Sequence, residues 1–449
     1  MSAPARIGLT LSGGGFRATL FHLGVIRFLF ENELLPHVTF ISGVSGGSIA
    51  AAHAVLNWDK YVGTPDSFAA AADELLHFIQ GDLRNRILRR WILGWAFLIP
   101  RLSFGYSRSN LLIAEYSKLY RVKDKGSKLR EAKLCDLYPR KNIHRPRIIF
   151  QTTSLSTGFA CAFGRSGFMW YEEDPRGLGV ERNKDEEKWI RASHLPVAVA
   201  VAASSAFPPM FPPVELTCAA LNCNKEVFPQ SQYLTDGGVF DNLGIDRPVW
   251  YYREGDRPDL SVKGDDLDAF VVSDAEGIFN DRSSPFWFKF TVPRNVRTTD
   301  ILMKRMSTLT YRYLSEVVHP RQKVVSVGIS DAVERADWLN SQVQAEIKRI
   351  RTDLDRFSPL EIECLITHGY EVARQKFIEA NWIDNGAPPS SWSPVSCNKD
   401  DRLQAIKLLI QSQKRRWIGL LDPRDWRSWI ISALTLLFFV GLVLLLVRR

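Results

Sequence analysis

A serine enclosed by glycines is the first candidate for chemistry in this sequence. The run Gly43-Val44-Ser45-Gly46-Gly47 fits the Gly-x-Ser-x-Gly pattern of a nucleophile elbow, a sharp turn between a strand and a helix. Glycine permits a turn too tight for other side chains, and the dipole of the following helix stabilises negative charge that develops there. We therefore predict Ser45 as a nucleophile, with Gly43 and Gly47 forming the elbow.

A glycine turn near the N-terminus is the second candidate element. Three consecutive glycines, Gly13, Gly14 and Gly15, are followed by Phe16 and Arg17. Several backbone N–H groups can converge in such a turn, as a tetrahedral oxyanion requires, and each lost donor costs roughly 3 kcal/mol of barrier. Arg17 adds positive charge nearby. We therefore predict an oxyanion hole built from the three glycines and Arg17.

The same glycines also fit a dinucleotide-binding pattern, Gly13-x-Gly15-x-x-Ala18. That kind of site needs an acidic residue after the second strand to hold a ribose, and the second predicted strand is followed by Ser42 and Gly43 without one. Neither glycine turn is followed by the Lys-Ser or Lys-Thr of a phosphate-binding loop. The pattern therefore favours ester chemistry over nucleotide binding.

An aspartate followed by two glycines is the third candidate. Asp236 ends a predicted strand and precedes Gly237 and Gly238. A carboxylate in this position can lie beside an elbow serine and act as its general base. Alone, Asp-Gly-Gly is more commonly a simple turn, so the prediction rests on its combination with the other two elements.

The elements that must position these residues alternate between strand and helix. Short apolar, β-branched runs predict strands at residues 7–11, 38–41, 147–153, 232–236 and 269–273. Helical periodicity predicts helices at residues 16–31, 48–56, 69–79, 197–203, 343–357 and 359–379. The first two strands are each followed by a glycine turn and a helix, and two successive βα units indicate a parallel sheet.

In order and spacing, the three motifs resemble those of the patatin-like phospholipases. The elbow follows the glycine turn by about thirty residues, the Asp236 motif comes later, and residues 203–213 resemble the block that precedes the aspartate in that family. The resemblance covers residues 5–275. It implies a modified α/β-hydrolase fold, with three α/β/α layers and a mainly parallel central sheet.

The resemblance also implies an activity, namely hydrolysis of acyl esters in phospholipids or related lipids without a metal or other cofactor. Carried over by motif, Ser45 is the nucleophile and Asp236 the base of a Ser-Asp dyad, while Gly13, Gly14 and Gly15 form the oxyanion hole. The implied partner is therefore an acyl-lipid substrate.

Domain boundaries follow from these assignments. We predict a catalytic domain at residues 5–280, with a mainly helical insertion or cap at 58–147, and a helical extension at 281–382. Residues 383–428 form a loop and a basic juxtamembrane segment. Residues 429–447 are apolar except for Ser432, Thr435 and Gly441, and as a helix they would span roughly 28 Å, enough for a bilayer core.

The charge distribution favours a membrane over nucleic acid as the partner. The net charge of +9 is concentrated beside apolar sequence, in the arginines at 84–90 and the Lys/Arg residues at 402–427. We expect residues 84–100 to lie on the bilayer surface with their arginines at lipid phosphates.

Seven basic residues precede the tail and two follow it, so a C-terminal single-pass anchor would leave the catalytic domain facing the cytoplasm. The lack of a signal-peptide pattern and the six scattered cysteines agree with a reducing compartment.

Other functions remain open on the residues alone. The chain could be an ordinary Ser-His-Asp hydrolase with His319 or His368 as base, or a membrane-anchored scaffold without activity. We expect His22 to be a packed helix residue. Cys218-x4-Cys223 and Cys364-x3-His368 have ligand-like spacing, but we expect ordinary free cysteines.

Overall fold

The computed structural model describes most of the chain. The described residues are 5–95, 107–124, 126–138, 144–171, 187–208, 210–245, 267–278, 287–318, 323–334, 339–384 and 402–413, together with 430, 433, 437, 440 and 441.

Twelve strands are found in the described residues. They are β1 (Ile7–Leu11), β2 (Val38–Val44), β3 (Arg121–Lys123), β4 (Leu129–Glu131), β5 (Arg147–Ser154), β6 (Ala160–Gly164), β7 (Gly167–Tyr171), β8 (Glu187–Arg191), β9 (Val214–Leu216), β10 (Gln232–Asp236), β11 (Ala269–Asp274) and β12 (Lys323–Gly328).

The helices of the described residues are numbered in chain order. They are α1 (Gly15–Glu31), α2 (Gly46–Leu56), α3 (Trp58–Tyr61), α4 (Pro65–Ile79), α5 (Leu83–Trp95), α6 (Arg108–Leu119), α7 (Val197–Ser204), α8 (Cys218–Leu221), α9 (Gly238–Asp241), α10 (Thr291–Tyr313), α11 (Ser341–Ile347), α12 (Pro359–Glu379) and α13 (Arg402–Ser412). A π-helical turn, Leu314–Val318, continues α10, and 3₁₀ turns lie at Leu35–His37, Leu134–Leu137 and Trp287–Lys289.

The central sheet has the strand order β12-β11-β1-β2-β5-β6-β7-β8, with β10 and β9 branching from β5. The five strands from β12 to β5 run parallel. Strands β6, β7 and β8 continue as an antiparallel meander. The predicted α/β fold with a mainly parallel central sheet is therefore confirmed, since the strands that carry the three motifs all belong to or adjoin the parallel part.

Alternating side chains of the strands enter two cores on opposite faces of the sheet. In β11, Ala269 and Val271 join the larger core, which also holds the apolar sides of α1, α2, α4 and α12. Phe270 and Val272 face a smaller core with Leu243 and Leu314. Two buried faces make the sheet the middle of three layers and explain why its strands read as continuous apolar runs.

The predicted boundary at residue 280 does not separate two packing units. Strand β12, from the predicted helical extension, pairs along the whole of β11, and α12 packs along α1, with the Phe28 and Phe377 rings 4.9 Å apart. The helix predicted at 343–357 is wrong beyond Ile347, where the helix ends. There the buried Arg351 lies in a non-helical segment, where it pairs with Asp355 and with Glu361 in the first turn of α12.

The prediction that the arginines of residues 84–100 contact lipid phosphates is wrong for the described part of this segment. The four arginines of α5 form ion pairs within the protein: Arg84 with Asp353, Arg86 and Arg90 with Glu115, and Arg89 with Asp82. Arg84 and Arg89 are almost fully buried. These guanidinium groups are therefore committed to internal carboxylates and are not available to lipid phosphates. Residues 96–106 lie outside the described residues.

The apolar C-terminal tail lies largely outside the described part of the chain. Of residues 429–447, only Ile430, Ala433, Leu437, Val440 and Gly441 are described, and each is helical. Among the residues that the structure describes, no helix is both long and apolar enough to cross a membrane.

Candidate active site

Ser45 occupies the turn between β2 and α2 in a strained backbone conformation. Its φ of 51° and ψ of −117° are unusual for a residue with a side chain, as expected of a nucleophile elbow. The next two residues must be glycine, because a Cβ on Gly46 would lie 2.0 Å from the carbonyl oxygen of Gly15, and one on Gly47 2.1 Å from that of Leu11. The Ser45 N–H donates to Ser204 Oγ at 3.0 Å.

Ser45 meets Asp236 because two strands share one edge of β5. Strand β2 runs parallel to β5 and ends where Val44 pairs with Gln151. Strand β10 runs antiparallel to β5 and ends where Asp236 pairs with Thr152. Since β6 occupies the opposite edge of β5, β2 and β10 approach each other end to end, and the residues that finish them become neighbours.

Asp236 is a buried carboxyl with few compensating contacts. It is 2% exposed, and burial raises its pKa from the usual value to about 7, opposed by hydrogen bonds from the Ser45 side chain and the Gly238 N–H. The Gly238 N–H lies 2.8 Å from Oδ1. A carboxyl whose pKa is raised to about 7 and that lies beside the elbow serine meets the requirements of position and proton affinity for a general base.

The glycine turn abuts the elbow. A Cβ built on Gly13 would lie 3.3 Å from that of Ser45, so the turn passes directly beside the serine. Gly14 and Gly15 have φ of 144° and 59°, which turns their N–H groups out of the regular strand and helix pattern. No described residue accepts a hydrogen bond from the N–H of Gly14, Gly15 or Gly46, which leaves three donors for an oxyanion.

Two of the predicted oxyanion-hole residues have other partners. The Gly13 N–H donates to the carbonyl oxygen of Asn242 at 3.0 Å, so Gly13 is a structural member of the turn and not a donor. The Arg17 guanidinium donates to the carbonyl oxygens of Ala275 and Ile350 at 2.9 and 2.8 Å. Burial lowers the Arg17 pKa to about 10. Arg17 therefore holds the glycine turn in place through these two backbone carbonyl groups.

Sequence reasoning missed a residue, Ser204, that holds the Ser45 and Asp236 turns together. Ser204, at the end of α7, binds the Ser45 N–H and the Ser48 hydroxyl, and its carbonyl oxygen accepts the Gly237 N–H at 3.2 Å. It thus contacts both the elbow and the Asp236 turn. The block at 203–213 marked this region, but no local pattern distinguishes a serine that braces two turns from one that ends a helix.

Of the histidines considered in the sequence, the two that the structure describes, His22 and His368, are not placed for a catalytic triad. His22 is buried between Ser273 and the Ser12 carbonyl oxygen, and burial lowers its pKa to about 4, as expected of a packed residue. His368 contacts the carbonyl oxygen of Ile329 beyond β12, three strands away from β2. His319 lies outside the described residues. Within the described ranges no three His, Cys, Asp or Glu side chains are grouped as metal ligands.

Fold and site together define the class of protein: an α/β-hydrolase-like sheet that carries an elbow serine, a facing carboxyl and a glycine turn. The chain belongs to the patatin-like phospholipase family, whose sequence model matches residues 9–249, more than half of the 449 residues. The family predicted from the three motifs is therefore confirmed. None of the curated proteins matches the chain.

Solved structures give distant matches. VipD from Legionella pneumophila is 15% identical with a TM-score of 0.36, over 84% of this chain and 68% of that one. Human GIVD cytosolic phospholipase A2 is 12% identical with a TM-score of 0.42, over 91% of this chain and 63% of that one.

The raised pKa of Asp236 predicts the pH dependence of the site. A base must be ionised, so kcat/KM for a soluble ester should be lost below pH 7 and rise through an apparent pKa near 7. Because this pKa is raised in the folded state, the free energy of unfolding of the wild type should decrease, relative to that of Asp236→Asn, as the pH rises from about 4 to 7. A pH–rate profile and thermal unfolding at several pH values would check both. A pH–rate profile governed by a group with a pKa near 4 would contradict the assignment.

A second prediction concerns the glycine turn. Gly14→Val should reduce turnover by at least about 100-fold, because a β-branched residue cannot readily adopt φ of 144° and displaces an oxyanion donor. The exposed Gly126→Ala, at ordinary φ and with its nearest contact at 3.4 Å, is the control and should behave as wild type. Normal turnover of a folded Gly14→Val enzyme would place the oxyanion hole elsewhere.

Proposed function

We propose that the protein hydrolyses fatty-acyl esters of phospholipids or related lipids, as a phospholipase A or lysophospholipase, through Ser45 and Asp236. One observation carries this proposal: the elbow serine Ser45 adjoins the buried Asp236 carboxyl, whose pKa burial raises to about 7 against the influence of the Ser45 side chain, beside a glycine turn with N–H groups that no described residue accepts. Membership of the patatin-like phospholipase family supports a lipid substrate.

In the first half of the reaction, Asp236 takes the Ser45 proton as Oγ attacks the ester carbonyl carbon. The resulting oxyanion is bound by the N–H groups of Gly14, Gly15 and Gly46, which need no reorganisation because the turns already hold them in place. The C–O bond to the leaving group then breaks. Asp236 returns the proton to that oxygen, and a lysolipid or alcohol departs, leaving an acyl ester on Ser45.

In the second half, water replaces the leaving group. Asp236 removes a proton from water as it attacks the acyl-enzyme, the same N–H groups stabilise the second oxyanion, and Ser45 leaves with the proton. A single carboxyl can serve both halves because its pKa near 7 lets it accept and return a proton at neutral pH. The fatty acid is the second product.

The substrate lies in a membrane, and we propose that residues 429–447 anchor the enzyme there with the catalytic domain on the cytoplasmic side. The described tail residues Ile430, Leu437 and Val440 are helical and between 47% and 66% exposed, which supports an apolar helix without a protein partner at those positions. The excess of basic residues before the tail supports the orientation.

Removal of either member of the dyad should abolish ester hydrolysis. Ser45→Ala and Asp236→Asn should each lower kcat by on the order of 10⁴-fold or more, and the double variant should lose little beyond that because the two act as one unit. Ser315→Ala and Asp73→Asn, both exposed, are matched controls. Turnover near that of wild type in either dyad variant would refute the mechanism, and so would an unchanged rate of fluorophosphonate labelling in Ser45→Ala.

Deletion of the tail tests the proposed anchor. A chain that ends at Leu421 should become soluble and cleave a short-chain nitrophenyl ester at the wild-type rate, but lose most of its activity on vesicles, because anchoring raises the local substrate concentration. Sedimentation with membranes after a high-salt wash gives the direct readout. If the truncated protein still sediments, the tail is not the sole anchor.

A further inference from the structure

Helix α10 carries an apolar stripe on its solvent side. Leu302, Met306 and Leu309 follow one another at helical spacing on one face and are 62%, 40% and 38% exposed. Ile301, at 51% exposed, borders the stripe. Contiguous apolar side chains on a helix surface indicate a face that is covered by a partner in use.

Basic residues line the same exposed side. Arg294, Arg305 and Arg312 are exposed and lie at helical spacing next to the stripe, and no described residue forms an ion pair with their side chains. The helix has five basic residues and one acidic residue, Asp300. An apolar stripe flanked by unpaired cations matches the acyl and phosphate layers of an anionic lipid surface.

The opposite side of α10 is fixed to the active-site region. Tyr311 donates its hydroxyl hydrogen to Asp274 at 2.8 Å, and Lys304 pairs with Glu276 at 3.4 Å. Met303 packs over the turn that follows Asp236, since a Cβ on Gly238 would lie 3.3 Å from Met303 Cε. The exposed stripe is therefore one helix thickness from the turn that carries the base.

We propose that α10 docks on an anionic phospholipid surface, with Leu302, Met306 and Leu309 among the acyl chains and the three arginines at lipid phosphates. This gives the site proposed above its partner surface, and it rests on that proposed function for its purpose. The arginines of α5 cannot fill this role because internal carboxylates hold them. Those of α10 point to solvent beside the apolar stripe.

Site-specific photocrosslinking tests the docking without depending on catalysis. Full-length Ser45→Ala protein would carry benzoylphenylalanine at position 306, or at the equally apolar and exposed position 129 as control, in vesicles of phosphatidylcholine with about 20% phosphatidylserine. Lipid adducts at 306 and not at 129 are expected. A crosslink from 306 to another segment of this chain, to a second copy, or to nothing would overturn the proposal.

Activity gives the second readout. Leu302→Glu/Leu309→Glu should lower the ratio of vesicle to soluble-ester turnover by at least about tenfold, because two apolar groups are lost and charge of the same sign as the lipid is added. Arg305→Glu/Arg312→Glu, which disturbs no packing, should lower this ratio on anionic vesicles and not on neutral ones. Leu129→Glu should leave it unchanged. An unchanged ratio in both α10 variants would overturn the docking, whereas a wild type inactive on every ester would refute the proposed function alone.

Discussion

The meeting of β2 and β10 along one edge of β5 is the constraint on which the site depends. The two strands do not pair with each other, yet the register of each on β5 places their last residues opposite adjacent positions, Gln151 and Thr152. A register shift by one residue would also turn the alternate side chains to the other face of the sheet. The distance between serine and aspartate is thus set by backbone hydrogen bonds and not by flexible loops.

This arrangement buries a carboxyl, which is costly because ionised groups lose solvation. The cost is partly offset by the Gly238 N–H and the Ser45 hydroxyl, and the remainder appears as a pKa near 7. Ser204 binds the N–H groups of Ser45 and Gly237 and so braces both turns, which in the proposed mechanism positions the base without a third catalytic side chain. In the proposed mechanism, the same burial that destabilises the ionised Asp236 suits this carboxyl to act as a base at neutral pH.

The C-terminal part of the chain, beyond the family match at residue 249, also supports the site. The Phe16 N–H donates to the carbonyl oxygen of Asp353 at 2.9 Å, and Arg17 binds that of Ile350. Buried ion pairs of Arg84 with Asp353 and of Arg351 with Asp355 fix this segment. The glycine turn is therefore held between the strand that precedes it and a loop more than 300 residues away in the sequence.

Local pattern predicted the strands and turns that carry Ser45 and Asp236, because apolar β-branched runs bounded by glycine leave few alternatives. Prediction from local pattern failed where the same residue types and spacing fit two different structures. Arg351 and Asp355 have the spacing of a helical ion pair, but they pair inside a loop. The arginines at 84–90 resembled a membrane-facing cluster, and only the fold shows the carboxylates opposite them. Gly13 and Gly14 are alike in sequence, and only the structure shows that the Gly13 N–H donates to the Asn242 carbonyl oxygen while no described residue accepts the Gly14 N–H.

Trapping of the acyl-enzyme would test most directly whether Ser45 and Asp236 form a catalytic pair. Rapid acid quenching after mixing with an activated long-chain ester, followed by intact-mass measurement and peptide mapping, locates the acyl group. It should be found on Ser45 in the wild type and should not accumulate in Asp236→Asn. An acyl group on another residue, or equal acylation of the Asp236→Asn protein, would contradict the assignment of the dyad.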